Sequence, residues 1–465
     1  MVDPNAIPES PVDEQPTIGL IGMGAMGRMY AKYLSDGGWK KIHVCDIPSK
    51  YEQLKEEYRD TPGITVVQDG HRVSRAADFI MYSVEAEYID RVVAEYGPST
   101  KVGAIVSGQT SVKAPEKEAF EKHLPEDVHI VSCHSLHGPT VSPHGQPLVL
   151  IQHRAPDWAL ALVEHIFAPL RSRYVYLSYT DHDLVTANTQ AVTHAAFLSM
   201  GTAWASAKSY PWESAPYVGG IENVKVNIML RIYSNMWHVY AGLAILNPSA
   251  GEMIGQYARS ATELFKLMLG ADEGALRERV YRARDQVFGG DYEETKTGDT
   301  PMANGKTRAP ILLSEDILDR FSLAAPPSPT STRPRSPKAK ANSHLSLLAM
   351  VDCWAQLRIQ PYTHLELAAT PVFRMWIGVA EYLFRSPPRL SAALNAALYD
   401  VTHRSDDLEF VVAARGWAQC VRFGSFELYR ERFEETAGFF AGRFEDATRV
   451  GGAMIKAIME SSSES

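Results

Sequence analysis

Three features of the amino-acid sequence predict an α/β protein: a doubly wound Rossmann domain followed by an all-α helical domain and a further C-terminal helical lobe. Short, near-continuously apolar runs alternate with amphipathic stretches over residues 17–178, the pattern of a mostly parallel sheet covered by helices on both faces. A glycine-rich turn, Gly22-Met-Gly24-Ala-Met-Gly27, follows the first run directly and opens a helix. From Thr180 onward the pattern changes to long stretches rich in Ala, Leu, Met and aromatics at helical spacing.

The strands are expected at "TIGLIG", "KIHVCD", "ITVV", "DFIMYSV", "KVGAIVSG", "VHIVSCHS", "PLVLIQ" and "RYVYLS", with helices between them at 86–96, 113–123 and 156–170. Helical periodicity then covers 183–209, 222–246 and 249–270. Domain limits follow from these shifts: a flexible N-terminus at 1–15, the dinucleotide-binding domain at 16–179, a helical substrate and dimerisation domain at 180–288, a low-complexity linker at 289–343 and a C-terminal helical region at 344–460. The linker contains "PPSPTSTRPRSPKAKANS", with too little apolar surface to offset the entropy of ordering.

Composition narrows the function. A chain of 465 residues exceeds what one core usually serves. The net charge of -9 and pI near 5.9 leave no broad basic surface for phosphate neutralisation, which argues against a nucleic-acid partner. Cys45, Cys133, Cys353 and Cys420 form no Cys-x-x-Cys pair, so neither a zinc knuckle nor a disulfide framework is indicated. No run of eighteen apolar residues and no signal-like N-terminus is present, so a cytoplasmic protein without a membrane partner is expected.

The glycine turn has a specific chemistry. Gly22 permits the tight turn, Gly24 lets the backbone approach a pyrophosphate, and Gly27 lets helix and strand pack closely, with the anion at the helix N-terminus. Asp46 ends the second strand, where a carboxylate normally accepts from a ribose 2′-hydroxyl. A carboxylate there favours NAD over NADP, although Arg28, Lys41 and Lys50 lie near enough in sequence to offset it. Met23, Ala25 and Met26 of the turn, with Ser83 and Gln109 at later strand ends, complete the expected cofactor-binding set.

Ligands of doubly wound sheets bind at the carboxyl ends of the strands. "YSVEA", "SGQTSVK" and "SCHSLHGP" are three such ends, expected to converge on a nicotinamide. His134 then stands where a general base is needed, with an ordinary pKa near 6.5 suited to accepting a hydroxyl proton. Ser111 either orients that imidazole or shares the hydroxyl; its alternative is the N-cap of "APEKEAF". His134 and His137 have no acidic partner nearby to complete a metal set, so no metal is expected. Alternation sends Cys133 to the opposite face, into packing.

In the helical domain Gln190 and His194 share one face four residues apart, a polar pair that calls for a ligand or a buried partner. Arg231 lies within an apolar amphipathic run and needs a carboxylate, either of a substrate or of the protein itself.

At these residues the chain closely resembles the fungal prephenate dehydrogenases of tyrosine biosynthesis. The matching stretches are "GQTS", "HSLHGP", "GQPLV", "HD", "TQAVTHAAFLSMG", "ENVKVNI", "LRIYSN", "WHVYAGLAI", "NPSA", "SATELF", "NSHLSLLA" and "DDLEFV", nearly the whole chain apart from the linker. The resemblance implies oxidative decarboxylation of prephenate to 4-hydroxyphenylpyruvate with hydride transfer to NADP, against the NAD leaning of Asp46. It implies that His134 hydrogen-bonds the ring hydroxyl with Ser111 beside it, and that His194 and Arg231 bind prephenate, with Gln190 also on the substrate side. It also implies a homodimer through the helical domain. Bacterial relatives have His-Pro where this chain has His134-Ser135, and Asp-Gln-Gly-Ser at Gly108-Gln-Thr-Ser111. Two alternatives remain. A two-domain β-hydroxyacid dehydrogenase needs a Lys with an Asn four residues on, and Lys225 with Asn227 has the wrong spacing. A dinucleotide-binding sensor without catalysis would not need Ser111, His134, His194 and Arg231 together.

Overall fold

The computed structural model describes residues 3–139, 141–214, 217–289, 342–367 and 370–461, with short pieces at 300–301, 307–308, 311 and 318–323. Most of the linker expected at 289–343 lies outside the described residues. The chain divides into two compact units, Met1–Thr186 with Leu246–Pro248 and Leu367–Ala369, and Ala187–Ile245 with Ser249–Glu366 and Thr370–Ser465. Among the described residues no helix is long and apolar enough to cross a membrane.

The first unit is built on β1 (Ile18–Ile21), β2 (Ile42–Cys45), β3 (Ile64–Val66), β4 (Phe79–Tyr82), β5 (Ile105–Gly108), β6 (His129–Ser135), β7 (Pro147–Gln152) and β8 (Arg173–Tyr176). Between them run α1 (Ala25–Asp36), α2 (Tyr51–Glu57), α3 (Gly70–Ala76), α4 (Ile89–Tyr96), α5 (Ala114–His123) and α6 (Asp157–Phe167), with α7 (Tyr179–Thr186) after β8. The strand order is β3-β2-β1-β4-β5-β6-β7-β8. Every neighbouring pair is parallel except β6 and β7, paired antiparallel from Val131↔Gln152 to Ser135↔Leu148.

Residues of β1, β4 and β5 are all buried because helices cover both faces. The period of two assigns them to faces: Phe79 and Met81 join one core with Leu20, Tyr30 and Phe167, while Ile80 and Tyr82 join the other with Val106 and Phe120. The N-terminal segment, expected to be flexible, is packed. Ala6 belongs to the first core, and the Gln15 amide donates to the carbonyls of Pro8 (2.9 Å), Ser10 (3.1 Å) and Gly38 (3.3 Å).

An ion pair is buried where β5 and β6 meet. The Lys113 ammonium reaches Glu116 Oε2 (2.8 Å), the carbonyls of Gly108 (2.9 Å) and Cys133 (2.7 Å), and Ser132 Oγ (3.2 Å), and both charged side chains are 0% exposed. Glu116 also accepts from Thr110 Oγ1 (2.6 Å) and from the Ser132 hydroxyl. Gly108 is required beside it, since a Cβ there would lie 2.3 Å from Glu116 Oε2.

The second unit comprises a π-turn (Ala187–Ala191), α8 (Val192–Ser206), α9 (Ile221–Tyr233), α10 (Trp237–Ile245), α11 (Ala250–Leu269), α12 (Glu273–Phe288), α13 (Leu345–Gln356), α14 (Pro361–Leu367), α15 (Pro371–Phe384), α16 (Pro387–Tyr399), α17 (Arg404–Phe423), α18 (Phe426–Phe440) and α19 (Phe444–Ser461). The helices after residue 344 share this unit with those before 289: α17 packs on α8 and α11, and α13 on α11 and α12. The single helix expected over 222–246 breaks after Tyr233. There Ser234 Oγ (2.9 Å) and Asn235 Nδ2 (2.8 Å) both donate to the Arg231 carbonyl, competing with the next helical turn.

Replacing Glu116 by Leu strands a buried ammonium and is expected to cost about 3–5 kcal/mol of unfolding free energy. Adding Lys113→Met should return part of that loss. Denaturant unfolding of the single and double variants measures both, and a single-variant loss below about 1 kcal/mol would remove the pair from the fold's supports.

Candidate active site

The turn between β1 and α1 has the geometry of a dinucleotide cradle. Gly22 has φ +101°, and a Cβ there would stand 2.3 Å from the Ser83 carbonyl oxygen. A Cβ on Gly27 would lie 2.2 Å from the Gly22 oxygen, so neither position accepts a side chain. Gly24 differs: nothing lies within 4 Å of its would-be Cβ, and it precedes α1 without a side-chain cap. That leaves open space over unpaired first-turn N–H groups, the arrangement that receives a diphosphate. Gln109 Nε2 donates to Ser83 Oγ (2.9 Å), so the expected residues from β4 and β5 meet beside the turn.

Two expected cofactor residues behave differently from what the sequence suggests. Met23 is fully buried in the core, and its N–H is taken by Asp46 Oδ2 at 3.0 Å. Asp46 also accepts from the Ile47 N–H (2.7 Å), while Lys50 Nζ lies 3.3 Å from Oδ2. The carboxylate thus braces the glycine turn, and its side chain is 9% exposed against 43% for Lys50. Arg28 donates to the Met23 carbonyl and forms a two-pronged pair with Glu57 (2.7 and 2.9 Å). Ala25 is exposed and Met26 half-buried at the helix start.

His134 lies near the end of β6, 6% exposed. Its Nδ1 is 2.8 Å from His182 Nε2, and His182 Nδ1 is 2.9 Å from Asp183 Oδ1. Burial, then the nearby His182, Lys113 and His137, hold the His134 pKa well below the ordinary histidine value, so the ring is neutral at neutral pH. The expectation of an unperturbed value is corrected accordingly. Cys133 faces the other way, into the core beside Met81.

Ser111 is half-buried, and among the described residues no hydrogen bond joins it to His134. Neither does it cap α5. The N-cap position is Lys113, and the first amides of the helix are taken by Asp183, whose oxygens accept from Lys113 N (2.7 Å) and Ala114 N (2.7 Å). The orienting partner of His134 is His182, a residue that reasoning from sequence did not single out. Its signal is the adjacent His-Asp pair at the start of a helix.

Gln190, His194 and Arg231 belong to the second unit. Gln190 lies in the π-turn, a distortion frequent at functional sites. Gln190 Nε2 and His194 Nδ1 are buried without a hydrogen-bond partner, as are Asn188 Oδ1 and Thr193 Oγ1. Burial drives the His194 pKa down to about 4, so it offers a neutral ring, not a cation. That ring meets Tyr240 edge-on at 4.8 Å, and the Tyr240 hydroxyl accepts from Asn235 Nδ2 at 3.0 Å. Arg231 is half-buried, and no ion pair among the described residues includes it, so the internal salt bridge left open by the sequence finds no partner here. Lys225, by contrast, is buried against Glu222 (2.6 Å), which also binds His344 (2.8 Å).

A glycine-turn α/β unit with a neutral imidazole at a strand end, joined in sequence to an all-helical unit, defines a two-domain dinucleotide-dependent dehydrogenase. Residues 17–133 match the NAD binding domain of 6-phosphogluconate dehydrogenase, and residues 191–460 match a 6-phosphogluconate dehydrogenase C-terminal domain. The probable prephenate dehydrogenase [NADP(+)] of Schizosaccharomyces pombe is 51% identical over 443 residues, covering 95% of this chain and 97% of its own. The prephenate dehydrogenase [NADP(+)] of Saccharomyces cerevisiae is 49% identical over 451 residues, covering 96% and 95%. The crystal structure of prephenate dehydrogenase from A. aeolicus with hydroxyphenyl propionate and NAD+ is similar at 20% identity and TM-score 0.45, over 57% of this chain and 94% of that one. The chain belongs to the prephenate dehydrogenase family.

Gly24→Ala fits the backbone, with φ −68°, but puts a methyl where the diphosphate must approach. It is expected to keep the wild-type melting temperature while weakening dinucleotide binding roughly tenfold, about 1.4 kcal/mol. Gly22→Ala should instead lower the melting temperature, because the left-handed backbone costs about 1–2 kcal/mol before the clash is counted. Thermal melts and a fluorescence titration with reduced dinucleotide separate the two effects.

Proposed function

We propose that the protein catalyses the oxidative decarboxylation of prephenate to 4-hydroxyphenylpyruvate and carbon dioxide with NADP, in tyrosine biosynthesis. The observation that carries the reading is His134: a buried neutral imidazole at the end of β6, in a chain about half identical throughout to two proteins of that name. NADP, when bound on the glycine turn, supplies the hydride acceptor. Gly24 and the first amides of α1 hold its diphosphate, and Ser83 and Gln109 line the same strand ends. Lys50, more exposed than Asp46 and beside it, suits a 2′-phosphate that Asp46 alone would repel.

The chain's own chemistry is then proton handling and anion binding. Prephenate loses a hydride and a carboxylate, and its ring hydroxyl becomes a phenol. His134 Nε2 accepts the hydroxyl proton as the hydride leaves and returns it to the phenolic oxygen once carbon dioxide has gone, so no net proton is released. Ser111 Oγ shares the hydroxyl. Arg231 binds a carboxylate of the substrate, with His194 and Gln190 giving neutral hydrogen bonds. The helical unit also carries a homodimer contact, supported by exposed Met236 (62%) and Val239 (49%) on α10 and Phe423 (76%) after α17's last turn. Light scattering should return twice the chain mass.

Absorbance at 340 nm with prephenate, run separately with NADP and NAD, tests the reaction, and no reduction with either cofactor would overturn it. His134→Asn should keep near-normal prephenate affinity while turnover falls about 10²–10⁴-fold. Arg231→Ala should raise the prephenate KM far more than the NADP KM, by an amount corresponding to roughly 1.5–3 kcal/mol. Because burial lowers the His134 pKa, the base stays unprotonated as pH falls below the ordinary histidine range. The acid limb of kcat/KM should therefore lie below pH 6.5, with activity lost only as pH drops through the lowered pKa.

A further inference from the structure

Only an unprotonated Nε2 on His134 can take a hydroxyl proton, yet a neutral imidazole carries its one proton on either nitrogen. We infer that His182 and Asp183 are positioning residues that lock His134 in its Nδ1-protonated tautomer and leave Nε2 as the acceptor, an inference that rests on His134 acting as the base proposed above.

The direction of each hydrogen bond follows from the donors that cannot be reversed. Main-chain amides only donate, so Asp183 Oδ1 accepts from Lys113 N and Oδ2 from Ala114 N, both at 2.7 Å. A carboxylate committed to two amides at the start of α5 is ionised and has no proton to give. His182 Nδ1, 2.9 Å from Oδ1, must donate. His182 is fully buried, and burial followed by the Lys113 charge keeps its pKa well below the ordinary value, so the ring is neutral and its Nε2 has a lone pair. His134 Nδ1, 2.8 Å away, therefore donates to it. The proton order is fixed from Asp183 outward.

The anchor of this chain is itself rigid. Asn247 Nδ2 donates to the Asp183 carbonyl (2.8 Å) and lies 3.2 Å from Thr186 Oγ1, holding the end of α7. At its start, Ser178 Oγ accepts from Asp181 N (3.0 Å). The charged and titratable groups facing the pair are Lys113 and Glu116 from α5, His182 and Asp183 from α7, and His137 from the loop after β6. Asp183 is the carboxylate linked to the imidazoles by hydrogen bonds, so the positive charge that forms on His134 is stabilised through His182.

Histidine ¹⁵N spectra of the whole protein at neutral pH test the tautomer directly, with the His134 signals identified by their loss in His134→Asn. The expected result is a protonated Nδ1 and a bare Nε2. His182→Leu removes the acceptor, so His134 should show mixed tautomers and kcat should fall about tenfold or more, up to the 10²–10⁴ that a positioned base contributes, with prephenate KM little changed. His182→Gln can accept from His134 through Oε1 and donate to Asp183 through Nε2, and should restore both the tautomer and most of the turnover. A wild-type His134 protonated on Nε2, or a His182→Leu enzyme with wild-type kcat and pH profile, would overturn the inference. If prephenate is not turned over but the ¹⁵N pattern is as expected, the substrate reading fails and the positioning role stands.

Discussion

The Asp183 carboxylate is the constraint on which the first unit's polar interior depends. It closes the first turn of α5 through two amides and orients His182 through a third hydrogen bond. Burial raises its pKa above the ordinary aspartate value, and the Lys113 and Ala114 amides oppose that rise. The same Lys113 that gives Asp183 its backbone N–H sends its ammonium to the carbonyls of Gly108 and Cys133, at the end of β5 and beside His134. Two buried networks therefore share one residue. A half-satisfied polar network in a low-dielectric core is worse than none, so satisfaction of nearly every donor here ties the position of His134 to the fold itself.

The cofactor side shows how the same residue types can be used against their usual reading. An acid at the end of the second strand ordinarily faces a ribose, and Asp46 occupies that place. Its oxygens instead accept from Met23 N and Ile47 N, and Lys50 lies against it. The negative charge is taken up in holding the glycine turn in shape, and the more exposed group is the ammonium. A 2′-phosphate then meets a local balance closer to neutral, which reconciles the carboxylate with the NADP named for the two fungal relatives.

What could be seen in the sequence was what local periodicity controls. All eight strands of the sheet, the turn at 22–27 and the position of His134 follow from apolar runs of period two and from glycine spacing. What could not be seen depends on partners far apart in the chain. The cap of α5 comes from Asp183, some 70 positions away, so a Ser two residues upstream of the N-cap looked the better candidate. The N-terminal segment looked flexible because its Pro and acidic residues suggest no element, yet Gln15 ties it to Gly38 by its side chain. The break after Tyr233 turned on Ser234 and Asn235 bonding back to one carbonyl, a competition that apolar periodicity does not register.

The helical unit poses the complementary case, a polar set left unsatisfied. Asn188, Gln190, Thr193 and His194 each bury an atom without a partner within seven positions of one another. Each such group costs about 1–3 kcal/mol, a burden that packing alone does not call for. A π-turn widens the backbone at the first two of them. Strain and unpaired polarity in one place are what a binding surface looks like before its ligand supplies the missing hydrogen bonds. With His194 held neutral by burial, the positive charge in this set falls to Arg231, whose guanidinium is the one group there that stays charged at any working pH. Attraction of a dianionic substrate therefore rests on Arg231, while the neutral groups select by direction and shape: an anion lacking acceptors placed to meet Gln190 and His194 would gain the charge interaction and leave their unpaired atoms as costly as before.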